Sequence, residues 1–228
     1  PVLALVAGRE IVVGRNWKNL KILVALLLLS GANLWLHFAV LTSGDPQMAL
    51  RAGVATLVML IGLVGGRIIP NFTRNWLAKA EQTKFPAAFG RLDIVAMVAT
   101  GVAFAAWVAI PEGWATAGLT ALAALLQGFR LARWRGHQTL EEPLLLVLHL
   151  AYGFVPLGLG AVALAALGWL SPPSALHLLT VGAIGNTTLA VMARATRGHT
   201  GRPLTASPIS SLAFLSLLMS AVLRPFAE

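Results

Sequence analysis

The sequence predicts an all-α protein, built as a polytopic bundle of transmembrane helices. Only 11% of its 228 residues are charged, 57% are hydrophobic and the mean hydropathy is +0.79. Because soluble domains carry about 25% charged residues, this chain has too few polar groups to cover a soluble surface. Its apolar residues are also gathered into runs long enough to cross the ~30 Å hydrocarbon core of a bilayer as helices.

We predict seven spans, which together form a single transmembrane domain over residues 1–228. They lie near residues 20–41, 48–69, 92–110, 114–132, 144–170, 175–193 and 207–223. Residues 67–75 are predicted to form a loop after the second span. Residues 198–203 are predicted to form an abrupt turn after the sixth, in which Gly198 and Gly201 permit positive φ and Pro203 prevents the helix from continuing.

The net charge of +9 is explained better by membrane topology than by nucleic-acid binding. If the N-terminal flank is cytoplasmic, the predicted cytoplasmic loops hold 15 of the 17 Lys and Arg residues, and only Arg51 and Arg224 fall outside. This alternation obeys the positive-inside rule at every loop. We therefore expect an N-terminus inside, a C-terminus outside, a lipid bilayer around the protein and no nucleic-acid partner.

The residue types restrict the chemistry. The chain has no cysteine, which excludes disulfides and thiolate sites. Only Asp93 among the acids enters a span, and only at its end, so carboxylate-rich metal sites and carboxylate-driven proton pumping have little support. Five histidines remain, and neutral imidazole is a good ligand for haem iron and copper. No nucleophile–base pair or nucleotide-binding glycine motif is present, so the sequence assigns no reaction and leaves open whether the protein is an enzyme.

The predicted topology separates the histidines into two layers. His37 and His177 lie near the outer ends of spans one and six and could act together. His149 lies in the inner half of span five, and Tyr152 follows one helical turn later. His199 lies in an inner loop, where it could act with His149 or with the arginines of the inner loops. An ionisable side chain within a span is usually functional, so His149 is either a metal ligand or proton relay, or a structural donor to a nearby carbonyl. The candidate metal ligands are His37, His149, His177 and His199.

Span six carries a polar stripe. On an α-helical wheel six residues lie within about 100° of one another: His177, Thr180, Ile184, Thr187, Thr188 and Val191. Gly182 and Gly185 lie on an adjacent face, where they would permit close helix approach. The polar groups either bond to backbone carbonyls and neighbouring helices or line a path for a small solute. The second interpretation keeps a membrane transporter or channel open as an alternative function.

Two arginines, Arg67 and Arg202, lie at the predicted inner membrane boundary. Guanidinium groups suit carboxylates and phosphates, and haem propionates are one candidate partner. The alternative is that both arginines serve only as topology signals and lipid-headgroup contacts.

Three motifs, occurring in the expected order, resemble the NnrS family of bacterial inner-membrane proteins. They are GGRIIPNFTRN at 65–75, EEPLLLVLHLAYGFVPLGL at 141–159 and HLLTVGAIGNTTLAVMARATRGHTGRPL at 177–204. The resemblance extends over nearly the whole chain. It implies a membrane protein that contains haem and copper and is linked to nitric oxide and nitrosative stress. The predicted cofactor-binding residues are His149, His177, His199, Arg67, Arg202 and Tyr152.

The sequence departs from that family in one respect. Its members are larger, with about a dozen spans, and carry an early Trp-His-Ala-His-Glu type motif that is absent here. A final helix is absent too. We therefore expect the chain to be part of a longer protein whose other spans complete the cofactor site, and the sequence assigns no redox partner.

Overall fold

The computed structural model describes residues 2–226, and that range is helical without any β-strand. In chain order the helices are α1 (Val2–Val13), α2 (Leu20–Leu41), α3 (Gln47–Lys79), α4 (Arg91–Ala109), α5 (Trp114–Ala132), α6 (Pro143–Ala166), α7 (Pro172–His177), α8 (Asn186–His199) and α9 (Pro208–Leu223). A π-helical segment, Leu178–Gly185, joins α7 to α8, so that Pro172–His199 is one continuous helix. Short 3₁₀ turns lie at Trp17–Asn19, Gly136–Gln138 and Arg224–Phe226.

Six helices of the described range are long and apolar enough to cross a membrane, which makes the chain a multi-pass membrane protein. They correspond to the first six predicted spans. The helix α9 is apolar but has only 16 residues. At 1.5 Å per residue it measures about 24 Å, which is less than the ~30 Å hydrocarbon core. The predicted polytopic helix bundle is therefore confirmed, with its seventh span a shorter helix.

The helix α6 lies at the centre of the bundle. It packs against α5, α3 and the continuous helix that runs from α7 to α8, while α2 packs against α3 at the periphery. Fifteen of its 24 residues are buried. The C-terminal parts of α3, α5 and α8 meet the N-terminal parts of α4 and α6 at one end, which we call the basic end. Polar side chains on α6 must therefore find partners within the protein.

The predicted loop at residues 67–75 is wrong, because α3 continues through Pro70 as far as Lys79. Ile69, Thr73 and Leu77, spaced four residues apart, are all fully buried. Their burial against the bundle favours the helix, although proline removes one of its hydrogen bonds. The Thr73 hydroxyl also lies 2.9 Å from the Ile69 carbonyl, within hydrogen-bond distance.

The predicted limits of spans five and six also need correction. The helix α6 ends at Ala166, and the following helix begins at Pro172 and extends to His199. Gly198 is therefore helical, contrary to the prediction, whereas Gly201 has the predicted positive φ of 66°. The helix extends about a turn and a half beyond the predicted boundary. Its last turns are polar and lie at the basic end, so the end of the apolar run did not mark the end of the helix.

The π-helical segment changes the polar stripe predicted for span six. The predicted stripe assumed α-helical geometry throughout. Eight π-helical residues change the direction around the helix axis in which all later side chains point. Thr187 is buried while its neighbour Thr188 is exposed. The predicted close approach is confirmed at Gly182, where a side chain would overlap the Phe154 ring of α6. Gly185 has no comparably tight contact.

Candidate functional site

A network of buried polar side chains links α3, α4, α5 and α6 near the basic end. Its centre is Arg130, in the last turn of α5, which is only 1% exposed. Nε of Arg130 donates to Oδ1 of Asp93 at 2.9 Å, and Nη1 donates to the Gly62 carbonyl at 3.1 Å and to the Tyr152 hydroxyl at 2.9 Å. The carboxylate compensates the buried charge, which would otherwise be costly inside the bundle.

The network continues from Tyr152 towards the middle of the membrane. The Tyr152 hydroxyl donates to Oε1 of Gln127 at 2.8 Å, and Nε2 of Gln127 donates to the Thr100 hydroxyl at 2.8 Å. Thr100 lies about two helical turns from Asp93 on α4. The Trp134 ring closes the network on one side, with its centroid 4.5 Å from that of Tyr152.

Sequence reasoning missed this network. Arg130 was one of the 15 Lys and Arg residues assigned to the predicted cytoplasmic loops, whereas the structure buries it within α5. One signal was available: Gln127 and Arg130 are three residues apart and so lie on one face of an otherwise apolar helix. Polar groups inside a span need partners, which pointed to Asp93 on the preceding helix. Tyr152, predicted to bind a cofactor, has its hydroxyl committed to Arg130 and Gln127.

The ring of His149 lies buried between α6 and α3. Its Nδ1 is 3.0 Å from the Leu145 carbonyl and its Nε2 is 3.2 Å from the Thr73 hydroxyl. A carbonyl can only accept, so in the neutral ring Nδ1 carries the hydrogen and Nε2 is an acceptor. The single hydrogen of the Thr73 hydroxyl is then shared between Nε2 and the Ile69 carbonyl. This is the structural-donor alternative for His149. A metal at Nε2 would have to displace the Thr73 hydroxyl, and the ligand role remains a prediction.

The two histidines predicted to lie near the outer side, His177 and His37, have different helix partners. Nε2 of His177 lies 3.1 Å from the Ser220 carbonyl of α9 and therefore donates to it, which leaves the lone pair on Nδ1. A carbonyl bond of this kind commonly orients metal-binding imidazoles. His37 is exposed on α2, whose main neighbours are α1 and α3. The main neighbours of α2 thus differ from the partner of His177, and the pairing of His37 with His177 stays a prediction.

A cleft of about 820 Å³ separates α3 from α8 at the basic end. His199 lines it together with two cations, Lys79 and Arg194, and one acid, Glu142. Arg194 lies over the ring of Phe72, 4.4 Å from its centroid, which stabilises the cation at the cleft wall. We call this space the α3–α8 cleft.

An apolar groove of about 250 Å³ extends the α3–α8 cleft towards the middle of the membrane. Ile68 and Val191 line both spaces. The groove also contains Thr187, whose buried hydroxyl has no hydrogen-bond partner among the described residues. The two spaces together suit an amphipathic ligand with an apolar body and an anionic end.

The chain matches the family described as NnrS protein over residues 1–228. It belongs to the NnrS family. No curated protein and no solved structure matches it. The resemblance seen in the three motifs is thus confirmed over residues 1–228.

The three NnrS motifs meet in space around α3. The motif at 65–75 supplies part of the α3 wall of the cleft and Thr73, the partner of His149. The motif at 141–159 supplies Glu142 and His149, and the motif at 177–204 supplies the α8 wall with Arg194 and His199. The residues that identify the family therefore border one region of the basic end.

Arg67 and Arg202, predicted to bind a cofactor, are exposed and outside the lining of the α3–α8 cleft. Arg67 lines a separate pocket of about 220 Å³ beside Asp93. Arg202 lies in the turn after α8. In residues 2–226 no three His, Asp or Glu side chains are grouped closely enough to hold one metal ion. Within that range the predicted metal ligands, which are His37, His149, His177 and His199, therefore do not form one such group.

Proposed function

We propose that this NnrS-family protein binds haem in the α3–α8 cleft and takes part in nitric oxide metabolism or in resistance to nitrosative stress. We further propose that it lies in the bacterial inner membrane with its N-terminal flank in the cytoplasm. The observation that carries the proposal is the composition of the cleft. It offers a histidine and two cations at the basic end and an apolar groove behind them.

The cleft fits each part of a haem. Its volume of about 820 Å³ lies within the roughly 300–1,000 Å³ of typical small-molecule sites. His199 would supply an imidazole for the iron, and Lys79 and Arg194 would hold the propionates through charge-assisted hydrogen bonds. Phe72 and Trp76 provide flat apolar walls. A haem bound here would supply an iron that can bind small diatomic molecules such as nitric oxide.

Copper, the second cofactor that the resemblance implies, fits the described residues less well. They contain no group of three His, Asp or Glu side chains that could hold a metal ion. His177 is one candidate copper ligand, because the Ser220 carbonyl fixes its ring and leaves Nδ1 available. A copper ion there would need further ligands other than His, Asp or Glu side chains of the described residues. The proposal therefore rests on haem.

The test uses the full chain purified in a mild detergent from cells supplied with haem. We expect a Soret band, haem detected as its pyridine complex, and a shift of the band when nitric oxide is added under anaerobic conditions. Elemental analysis of the same sample measures copper. Protein that binds neither haem nor copper, but carries nitrite or nitrate across liposome membranes, would favour the transporter alternative instead.

A further inference from the structure

We propose that the pocket beside Asp93 is a binding site for a small oxyanion, separate from the α3–α8 cleft. We call it the basic pocket. It lies at the basic end between α3, the loop that leads to α4, and Trp134. Its volume is about 220 Å³, room for about seven waters at ~30 Å³ each, so a phosphate-sized ion enters with part of its hydration shell.

One face of α3 presents the groups that bind an oxyanion. Arg67, Asn71 and Arg74 line the basic pocket and are all exposed. Their spacing of four and three residues places them one above another on a single helix face. Two guanidinium groups and an amide are donors suited to the several oxygens of a phosphate-like ion.

The acid in the pocket does not cancel this charge. Oδ1 of Asp93 accepts from Nε of Arg130 at 2.9 Å. Oδ2 accepts from the Gly90 amide at 2.9 Å and lies 3.5 Å from Nη1 of Arg133. Asp93 is thus compensated by two arginines of α5 and the segment after it, and Arg67 and Arg74 remain available to a ligand. The pocket therefore keeps a positive balance.

Arg130 lies directly behind one wall of the basic pocket. Its Nη2 lies against the backbone of Gly66, which lines the pocket, and a side chain at that position would overlap the guanidinium. Glycine thus lets a buried cation approach the wall. The cation that balances Asp93 is thereby held at the pocket wall, so the buried pair presents no unpaired negative charge to an anion.

The opposite wall is fixed before any ligand arrives. The Ala87 amide donates to the Arg133 carbonyl at 3.2 Å, and Nε of Arg135 donates to the Phe85 carbonyl at 3.0 Å. These bonds tie the loop to the segment after α5. A preformed wall reduces the ordering cost of binding.

The experiment is calorimetric titration of the full chain in a maltoside detergent, which contains no phosphate. One arm uses inorganic phosphate, and the other uses dihexanoyl phosphatidylglycerol below its micelle concentration. The variant Arg67→Gln/Arg74→Gln removes both pocket cations. The matched control is Lys84→Gln/Arg91→Gln. It removes one exposed cation from the loop that leads to α4 and one from the start of α4, and neither lines the pocket.

We expect binding to weaken at least tenfold in Arg67→Gln/Arg74→Gln and to stay within twofold in the control. If inorganic phosphate shows this pattern, the site takes a free oxyanion. If only the phosphatidylglycerol shows it, the site takes a lipid phosphate. Binding that is absent in both arms, or that falls equally in the variant and the control, overturns the proposal. Circular dichroism confirms that both variants remain helical.

Discussion

Nη1 of Arg130 donates a hydrogen bond of 2.9 Å to the hydroxyl of Tyr152, so α5 and α6 are joined through a buried guanidinium and a buried phenol. Asp93 of α4 completes the arrangement by accepting from Nε of the same arginine. Three helices are thereby held in register by one charged side chain. A bundle whose apolar surfaces face lipid gains specificity from such polar contacts.

Replacement of Asp93 by Asn should destabilise the protein strongly, because it leaves Arg130 buried without a counter-charge. Breaking a buried pair in this way costs about 3–5 kcal/mol. The measurement is thermal or denaturant unfolding of the purified chain in detergent. Glu112→Gln, which neutralises an exposed acid in the turn after α4, is the control and should leave unfolding unchanged. Similar stability for both variants would show that the Asp93–Arg130 pair contributes little.

A methyl group at residue 66 should be far more harmful than one elsewhere on the same helix. In Gly66→Ala the new side chain overlaps the Arg130 guanidinium, and such overpacking costs about 1–3 kcal/mol. Gly53→Ala is the matched control, because a side chain there meets open space. Unfolding temperatures of the two variants provide the comparison. A Gly66→Ala protein as stable as Gly53→Ala would contradict the described position of Arg130.

Loss of the Thr73 hydroxyl should destabilise the protein without changing a bound haem. Thr73→Val removes the partner of Nε2 of His149 and leaves a buried imidazole nitrogen unpaired, at a cost of about 1–3 kcal/mol. Thr56→Val is the control, since its hydroxyl bonds only to the Ala52 carbonyl of its own helix. Unfolding and the Soret band are recorded together. A shifted Soret band in Thr73→Val would indicate instead that His149 lies at the cofactor.

Local sequence patterns predicted the fold well where composition alone decides it. The limits of α2 and α5 match the predicted 20–41 and 114–132, because apolar runs there are bounded by polar turns. The patterns failed at Pro70, where burial of Ile69, Thr73 and Leu77 by distant helices outweighs the local effect of proline. They also could not reveal the π-helical segment, within which Gly182 packs against Phe154 of α6.

The candidate site was less predictable because its parts are distant in the chain. A histidine in a span was recognisable as a candidate, but its partner was not, since Thr73 is 76 residues from His149. The α3–α8 cleft likewise joins residues such as Lys79 and His199 that no local window contains. The position of Arg130 near the end of a predicted span indicated a loop cation. The structure instead places it against Asp93, 37 residues earlier.

The most direct test of the account compares the Soret band of His199→Ala with that of His137→Ala. Both histidines are exposed, but only His199 lines the α3–α8 cleft. We predict that His199→Ala loses at least half of its bound haem or shows a displaced Soret band, that added imidazole restores the band, and that His137→Ala matches the unaltered protein. A His199→Ala protein with full haem content and an unchanged Soret band would contradict haem binding by His199 in this cleft.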